Sequence, residues 1–253
     1  MSARKTHDIS RFEADLEYLK LPYTREHYHD TIKVAVDKGL DHLGWFMPLI
    51  EAETQLRQDR SVERRLRLAR FPVRKTLDQF DWTWPRKIDR LRIQNLFHLK
   101  FIEECANVIL VGGVGLGKTH LAIALGCAAC HQSYSVVFAS AIDAVNTLTA
   151  AQAAGRLKTD LGKFIRPSVL VLDELGYLPI DKAGADLLFQ IISQRYERGS
   201  TIITTNRIYK KWPEIFNNDA TLTSAVLDRL LHHAETIVIE GRSFRMKDKI
   251  DGE

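Results

Sequence analysis

The segment from Gly112 to Thr119 has the pattern GxxxxGKT, a glycine-rich turn that ends in adjacent lysine and threonine residues. Gly112, Gly115 and Gly117 let the backbone curl so that successive N–H groups point inward, and such a nest binds an anion. Lys118 would contact the β- and γ-phosphates as a point charge, while the hydroxyl of Thr119 would take one position on a Mg²⁺ ion shared with a nucleotide. The pattern therefore predicts a nucleotide-phosphate site.

Apolar patterns on both sides of this loop predict the strand and the helix that should hold it. The run 108–111 is short, continuous and rich in β-branched residues, which is typical of a strand buried in a parallel sheet. After the loop, Leu121, Ala122, Leu125 and Ala129 recur at helical spacing. A glycine-rich turn without a ligand is the alternative, but the flanking elements and the complete set of fixed positions favour nucleotide binding.

Two adjacent carboxylates, Asp173 and Glu174, end a second apolar run that begins at Ser168. Neighbouring side chains on a strand point in opposite directions, so the two acids can act separately. Asp173 would hold Mg²⁺, mostly through water, and Glu174 would orient and deprotonate an attacking water. The structural alternative makes Asp173 the N-cap of a helix and Glu174 a charge in its first turn.

A third predicted strand, 201–205, ends in Asn206, at the edge of the sheet where ligands bind in open α/β folds. Asn206 would hold the attacking water or the γ-phosphate, although asparagine after a strand is also an ordinary turn residue. The segment 224–232 predicts a helix with Arg229 near its middle. Spacing alone leaves Arg229 open to a simpler interpretation, an exposed helix cation.

Positive charge is concentrated between residues 57 and 75, where eight cations face two anions; this segment is +6, which leaves −2 for the rest of a chain whose net charge is +4. On a helix one stripe of this segment is basic, and Val62, Leu66 and Ala69 fall almost opposite. Such a face binds several DNA phosphates without reading sequence, or is simply solvated. The residues of the basic stripe are Arg57, Arg60, Arg64 and Arg67.

Composition sets limits that agree with these motifs. With 253 residues, 45% of them hydrophobic, the chain can form one substantial α/β core and a small helical appendage. No run is long enough to span a bilayer and the N-terminus is polar, so we expect a cytoplasmic protein. Cys127 and Cys130 form a CxxC motif on the helix after the phosphate loop, with no second pair for a zinc site, so buried packing is expected.

The first 70 residues predict a small helical domain that joins subunits, binds DNA or meets another protein, and residues 71–253 form the nucleotide-binding domain. The stretch 26–49 contains three potential helix breakers, Gly39, Gly44 and Pro48. The connector that begins at Phe71 carries three aromatic residues that either close over an adenine base or pack in the core. These are Phe80, Trp82 and Trp84.

The chain contains, in this order, FPVRKTLDQFDW, GGVGLGKTHLAIALG, VLDELGYLPI, RYERGSTIITTN, LDRLLHH and EGRSFR. Together these motifs resemble the IstB family of insertion-sequence transposition helper ATPases, which are relatives of the DnaC-type helicase loaders in the AAA+ superfamily. The resemblance implies a three-layer αβα P-loop ATPase core with a parallel five-stranded sheet in the order 5-1-4-3-2, after the small N-terminal helical domain. We expect no full C-terminal lid, because few residues follow the last predicted strand. The strands are predicted at 107–111, 135–139, 168–173, 201–205 and 236–240.

The resemblance also implies roles for single residues. Asn206 matches sensor 1, and Arg229 matches an arginine finger that acts on the ATP of a neighbouring subunit, so that hydrolysis would require a homo-oligomer. Arg242 and Arg245 are the candidates for sensor 2. The catalytic set is Lys118, Glu174, Asn206 and Arg229, and the Mg²⁺ ligands are Thr119 and Asp173. The nine nucleotide contacts are the Walker A residues Gly112, Gly113, Val114, Gly115, Leu116, Gly117, Lys118 and Thr119, and His120 after them.

The expected function is an ATP- and Mg²⁺-dependent assembly switch. ATP would join subunits along double-stranded DNA, the assembly would present a target site to a cognate transposase, and hydrolysis, stimulated by assembly on DNA, would dismantle it. One alternative is a DnaC-like loader of a replicative helicase, which would share every ATPase motif but favour single strands. A second is a monomeric P-loop kinase for a small molecule, against which the arginine motif and the basic helix argue.

Overall fold

The computed structural model describes residues 8–84 and 87–244. The chain divides into two compact units, residues 1–63 and residues 64–253. The boundary expected from the sequence, at residue 70, lies slightly later in the chain. Among the described residues, the search for a helix with the length and apolar character of a membrane span found none.

The first unit is helical and has a small core of its own. It contains α1 (Ile9–Tyr18), α2 (Pro22–Lys38) and most of α3 (His42–Ala69), whose last residues belong to the second unit. Leu16, Tyr28 and Leu49 form the buried centre of this core.

Only one of the three expected helix breakers in this unit ends a helix. Gly39 ends α2 in the left-handed conformation, with φ 61°. The prediction of breaks at Gly44 and Pro48 was wrong, because both lie inside α3. The N–H of Gly44 bonds to the side chain of Asp41 at 2.7 Å, so this glycine is part of a capped first turn. Pro48 removes one helical hydrogen bond, but the next residue, Leu49, is only 1% exposed and anchors the helix to the core.

The second unit is built on a five-stranded parallel sheet. Its strands are β1 (Asn107–Gly112), β2 (Val136–Ser140), β3 (Val169–Leu175), β4 (Ser200–Thr205) and β5 (Ala234–Ile239). Their order across the sheet is β2-β3-β4-β1-β5, which is the predicted order counted from the opposite edge. All four strand pairs are parallel, and the predicted strands agree with the observed ones to within two residues at either end.

Helices flank this sheet because its strands are buried on both faces. On one face of the sheet, Ile109 of β1 and Leu172 of β3 form a core with side chains from the helices that follow β2, β3 and β4. Val108 and Val171 point the other way and are also fully buried, on the face where the helix after β1 packs. The helices of this unit after α3 are α4 (Arg90–Leu96), α5 (Lys100–Glu103), α6 (Lys118–His131), α7 (Ala141–Ala153), α8 (Leu157–Ile165), α9 (Lys182–Arg195) and α10 (Ala220–Leu231), with a 3-10 helix at Tyr209–Glu214.

The CxxC cysteines are packing residues, as expected. Cys127 and Cys130 lie in α6, are buried and have free thiols. Burial raises the pKa of Cys130 to about 12, so its thiol stays protonated at neutral pH.

Candidate nucleotide-binding site

The glycine-rich loop connects β1 to the first turn of α6, as its flanking patterns predict. Gly115 and Gly117 have φ of 74° and 82°, the left-handed region that favours glycine. A Cβ atom on Gly117 would lie 2.5 Å from the ring of Phe80, and one on Gly112 would lie 2.5 Å from the carbonyl oxygen of Ile239 in β5. Gly112 and Gly117 are therefore required by packing, and Gly115 and Gly117 by backbone conformation.

Lys118 and Thr119 begin α6 and turn toward different partners. Lys118 Nζ donates a hydrogen bond of 2.6 Å to the carbonyl oxygen of Gly113 in the loop. The hydroxyl of Thr119 donates to Asp173, at 2.9 Å from Oδ1 and 3.1 Å from Oδ2. The structure thus brings together the two residues that the sequence suggests as Mg²⁺ ligands.

The two adjacent acids at the end of β3 lie in different environments. Asp173 is 6% exposed, whereas Glu174 is exposed and has φ 59°, in the left-handed region. The pairing of β3 with β4 shifts register between Leu172 and Leu175, so Glu174 sits in a bulge rather than in regular strand geometry. The side chains are separated by this bulge and not by the simple alternation on which the sequence argument relied. The helix-cap alternative is excluded, since α9 begins later, after its own N-cap Asp181.

A cavity of about 330 Å³ opens where the loop, β3 and β4 end. It collects seven of the nine predicted nucleotide contacts, together with Glu174 and Asn206. Of the loop residues named from the sequence, Gly112 and Gly113 do not appear in its wall as described. The lining consists of Lys75, Gln79, Phe80, Asp81, Trp84, Val114, Gly115, Leu116, Gly117, Lys118, Thr119, His120, Glu174, Tyr177, Thr204, Thr205, Asn206 and Phe244.

One wall of the cavity is aromatic and comes from two distant parts of the chain. Trp84 belongs to the connector, and its ring lies edge-on to that of Phe244, with centroids 5.8 Å apart. Trp84 Nε1–H donates to the carbonyl oxygen of Arg242 at 2.8 Å, and the N–H of Phe244 donates to the carbonyl oxygen of Gly115 at 2.9 Å. Of the two sensor 2 candidates, Arg242 is exposed, and Arg245 lies outside the described residues.

The connector is tied to α6 through His120. A carbonyl oxygen only accepts, so the Nε2–H of His120 donates to the carbonyl oxygen of Thr76, at 2.9 Å. The ring of His120 also lies edge-on to that of Phe80, with centroids 5.5 Å apart. Burial lowers the pKa of His120 below its ordinary value of 6.5, and the bond to Thr76 opposes this shift.

Thr204 and Phe244 line the cavity, and the sequence argument missed both. Thr204 lies in β4, two residues before Asn206, and its hydroxyl bonds to Asp173 Oδ1 at 2.5 Å. A hydroxyl residue near the carboxyl end of a parallel strand, at the edge of the sheet where ligands bind, is the signal that could have found it. Phe244 stands within the EGRSFR motif, but neither composition nor periodicity places that motif on the phosphate loop.

Arg229 lies in the last turn of α10, not near its middle as the sequence indicated, because the helix ends at Leu231. Its guanidinium donates to the carbonyl oxygen of Ala225 at 2.9 Å and lies 5.1 Å from the ring centroid of Phe189. Arg229 is absent from the cavity lining of its own chain, as far as the described residues go.

The four arginines of the predicted basic stripe all lie in α3 and are exposed. Leu66 and Ala69 on the opposite side are buried, as predicted, and Val62 is half-buried. Arg57 is engaged within the first unit, where its guanidinium donates to the carbonyl oxygens of Leu19 and Lys20 at 3.2 and 2.8 Å.

Comparisons with known proteins agree with this geometry. Residues 14–252 match the family described as IstB-like ATP binding protein. The ATP-binding protein of insertion sequence IS21 from Pseudomonas aeruginosa is 40% identical over 241 residues, which are 95% of this chain and 91% of that protein. The corresponding protein of insertion sequence IS5376 from Geobacillus stearothermophilus is 38% identical over 231 residues, 91% of this chain and 92% of that one.

Solved structures show the same fold. The crystal structure of the DnaC helicase loader matches with a TM-score of 0.54 and 25% identity, over 65% of this chain and 96% of that chain. AMPPCP-bound DnaA from Aquifex aeolicus matches with a TM-score of 0.55 and 21% identity, over 70% of this chain and 55% of that chain. These matches and the sheet order confirm the AAA+ P-loop fold that the motifs implied.

Proposed function

Because this chain belongs to the IstB-like ATP binding protein family, we propose that it is an ATPase that assembles on double-stranded DNA and prepares a target site for a transposase. The observation that carries the proposal is the convergence on one cavity of the phosphate loop, Glu174 from β3 and Asn206 from β4. Three elements that are distant in sequence supply the parts that phosphoryl transfer to water requires.

The phosphate loop and the aromatic wall bind opposite ends of the nucleotide. The loop N–H groups and Lys118 hold the phosphates, while the base packs against Phe80, Trp84 and Phe244. Thr119 and Asp173 fit a Mg²⁺ ion, since a hydroxyl and a carboxylate 2.9 Å apart offer the hard oxygen ligands that this ion prefers. Bound Mg²⁺ would neutralise charge on the β- and γ-phosphates.

For hydrolysis, Glu174 acts as the general base. It is exposed to the cavity, so its carboxylate can accept a proton from water beside the γ-phosphate. Asn206, the next residue after β4, holds that water or a γ-phosphate oxygen. Asp173 is buried and accepts the hydrogen bond of the Thr119 hydroxyl, so its role is to orient Thr119 and not to act as the general base.

Assembly completes the site. Arg229 acts on the ATP of a neighbouring copy, where its planar guanidinium neutralises charge that develops on the γ-phosphate. Hydrolysis is therefore coupled to the contact between subunits, and it dismantles the assembly once it has occurred. Exposed arginines of α3 contact DNA phosphates, which positions the protein without reading base sequence. The transposase partner is proposed from the insertion-sequence origin of the relatives.

The second candidate function is loading of a replicative helicase. It is favoured by the structural match to the DnaC helicase loader, which extends over 96% of that chain. The two functions share the nucleotide site and differ in the DNA strand and in the protein partner.

The test is to measure complex mass and affinity on double- and single-stranded DNA of equal length, with ATP, ADP or no nucleotide. Large ATP-dependent assemblies on the duplex are expected. Lys118→Ala should prevent them, whereas Lys100→Ala, at an exposed position in α5, should not. Small complexes that prefer single strands would favour the helicase loader, and nucleotide-independent binding by every variant would contradict the ATP switch.

A further inference from the structure

The hydroxyl of Thr204 connects the two acids at the end of β3. It donates to Asp173 Oδ1 at 2.5 Å and accepts the backbone N–H of Glu174 at 2.9 Å. Thr204 is 1% exposed, so neither bond is readily exchanged for one to water. A hydroxyl can donate one hydrogen bond and accept two. The Thr204 hydroxyl donates to one residue of β3 and accepts from the next.

The bond to Glu174 matters because the backbone there is in an unfavourable conformation. Glu174 has φ 59°, which an L-residue keeps only when its surroundings impose it. The register shift between Leu172 and Leu175 interrupts the ladder with β4 at this point. The Glu174 N–H bonds to the Thr204 hydroxyl instead of a strand carbonyl, and this contact fixes the bulge that turns the Glu174 side chain toward the cavity.

The bond to Asp173 links the same hydroxyl to α6. Asp173 accepts from Thr119 as well as from Thr204, so one buried carboxylate joins the first turn of α6 to β4. This carboxylate sets the orientation of the Thr204 hydroxyl. The single hydroxyl hydrogen points to Asp173, and a lone pair of the hydroxyl oxygen is then free to accept from the N–H of Glu174.

We propose that Thr204 is a positioning residue for hydrolysis, which holds Glu174 in its left-handed conformation with its carboxylate in the cavity. The proposal rests on the assignment of Glu174 as general base. Thr204 acts through Glu174 and Asp173, so its removal should affect the chemical step more than nucleotide binding.

The experiment compares Thr204→Val, which keeps the shape but removes the hydroxyl, with Thr204→Ser, which keeps the hydroxyl. Thr204→Val should lower kcat for ATP hydrolysis by about 100-fold, the effect of a misplaced catalytic group, with KM and the ATP dissociation constant within about twofold of the parent. Thr204→Ser should recover most of kcat. Thr201→Val is the matched control, because Thr201 is buried in the same strand and its hydroxyl accepts from Arg195 at the far end.

If Thr204 has a purely structural role, Thr204→Val and Thr201→Val should lose the same amount of thermal stability and show the same decrease in kcat. That result would overturn the proposal. If Thr204→Val does not fold, Thr204→Ala serves in its place. A crystal structure of the variant gives a readout independent of activity: the proposal requires residue 174 to leave its left-handed φ, and an unchanged conformation contradicts it. If the parent does not hydrolyse ATP, the proposed function fails, while the crystal structure of the variant still tests the role of Thr204. If Glu174→Gln is inactive but Thr204→Val hydrolyses ATP normally, only the positioning role of Thr204 fails.

Discussion

The hydroxyl of Thr119 and the carboxylate of Asp173 are 2.9 Å apart at their closest oxygens, although 54 positions separate them in sequence. This hydrogen bond fastens the first turn of α6 to the end of β3. Each side chain is therefore oriented by the other, and the next residue, Glu174, leaves the strand from a fixed point. Groups that hold one another in fixed orientations in this way are what electrostatic catalysis needs.

Glu174→Gln should bind ATP normally but hydrolyse it very slowly. The amide keeps the size of the side chain and cannot take a proton, so a loss of about 10²–10⁴-fold in kcat is expected for a general base. Single-turnover hydrolysis and ATP titration on the same preparation measure the two quantities. Glu103→Gln, at an exposed position in α5, is the control. Normal turnover by Glu174→Gln would remove the residue from the mechanism.

Arg229→Ala should lose hydrolysis, on the order of 10³-fold for an arginine finger, and should be rescued by a second defective chain. In a mixture with Glu174→Gln, some interfaces combine an intact Glu174 with an intact Arg229 from the neighbour. ATPase activity of the mixture should therefore exceed the sum of the two variants measured alone. Arg229→Lys, which keeps the charge but not the planar fork, should restore little. A strictly additive mixture would place Arg229 in its own subunit's site or outside catalysis.

Replacing Arg60, Arg64 and Arg67 together with alanine should weaken DNA binding and flatten its salt dependence. Each lost phosphate contact reduces the slope of log K against log salt by about 0.9 on duplex DNA, so a change of about 2–3 is expected. Binding isotherms at several salt concentrations measure the slope. An equally charged control carries alanine at Lys158, Lys182 and Arg198, which are exposed and outside α3. A slope that both triple variants share would show that α3 does not contact DNA.

Arg57 is kept out of this variant because it has a structural task. Its guanidinium donates to the carbonyl oxygens of Leu19 and Lys20 just after α1, so its loss would confuse folding with DNA contact.

Arg195 should be important for stability. It is only 2% exposed, and its guanidinium donates to five backbone carbonyls and to the hydroxyl of Thr201. Burial lowers its pKa to about 10, which leaves it charged at neutral pH. Arg195→Met would leave several carbonyls without a donor, so a loss of at least about 3 kcal/mol in the free energy of unfolding is expected. Urea unfolding should show a much smaller effect for Arg198→Met, which is exposed, and equal midpoints would contradict the prediction.

His120 should make the unfolding free energy depend on pH. Burial holds its pKa below 6.5 in the folded state, so the unfolded chain binds a proton first as pH falls. The contribution of His120 is complete above 6.5 and is lost as pH falls from there through the folded-state pKa. Urea unfolding between about pH 7.5 and about pH 5.5 should show a shallower decline for His120→Gln than for the parent. His98→Gln, at an exposed position, is the control, and parallel curves for the parent and His120→Gln would contradict the assignment.

Much of this protein is determined by local sequence. The apolar run before Gly112, the helical spacing after Thr119 and the adjacent Asp173 and Glu174 depend on residues within a few positions of one another, so periodicity and turn chemistry were sufficient to predict them. The order of the strands came from the family resemblance, since parallel strands are joined by helices whose sequences do not state which strands become neighbours.

Tertiary structure decided the contacts that complete the site. The bulge at Glu174 depends on Thr204, 30 positions away, and the aromatic wall depends on a bond from Trp84 to Arg242, 158 positions away. The sequence does not distinguish Arg57 from the other three arginines of the basic stripe. Only the fold shows that its guanidinium donates to the carbonyl oxygen of Lys20, just after α1. Hydrogen bonds and ring contacts of this kind form only when distant segments meet, and no periodic signal marks them in advance. The sequence by itself determined which groups could do the chemistry, and packing determined where they point.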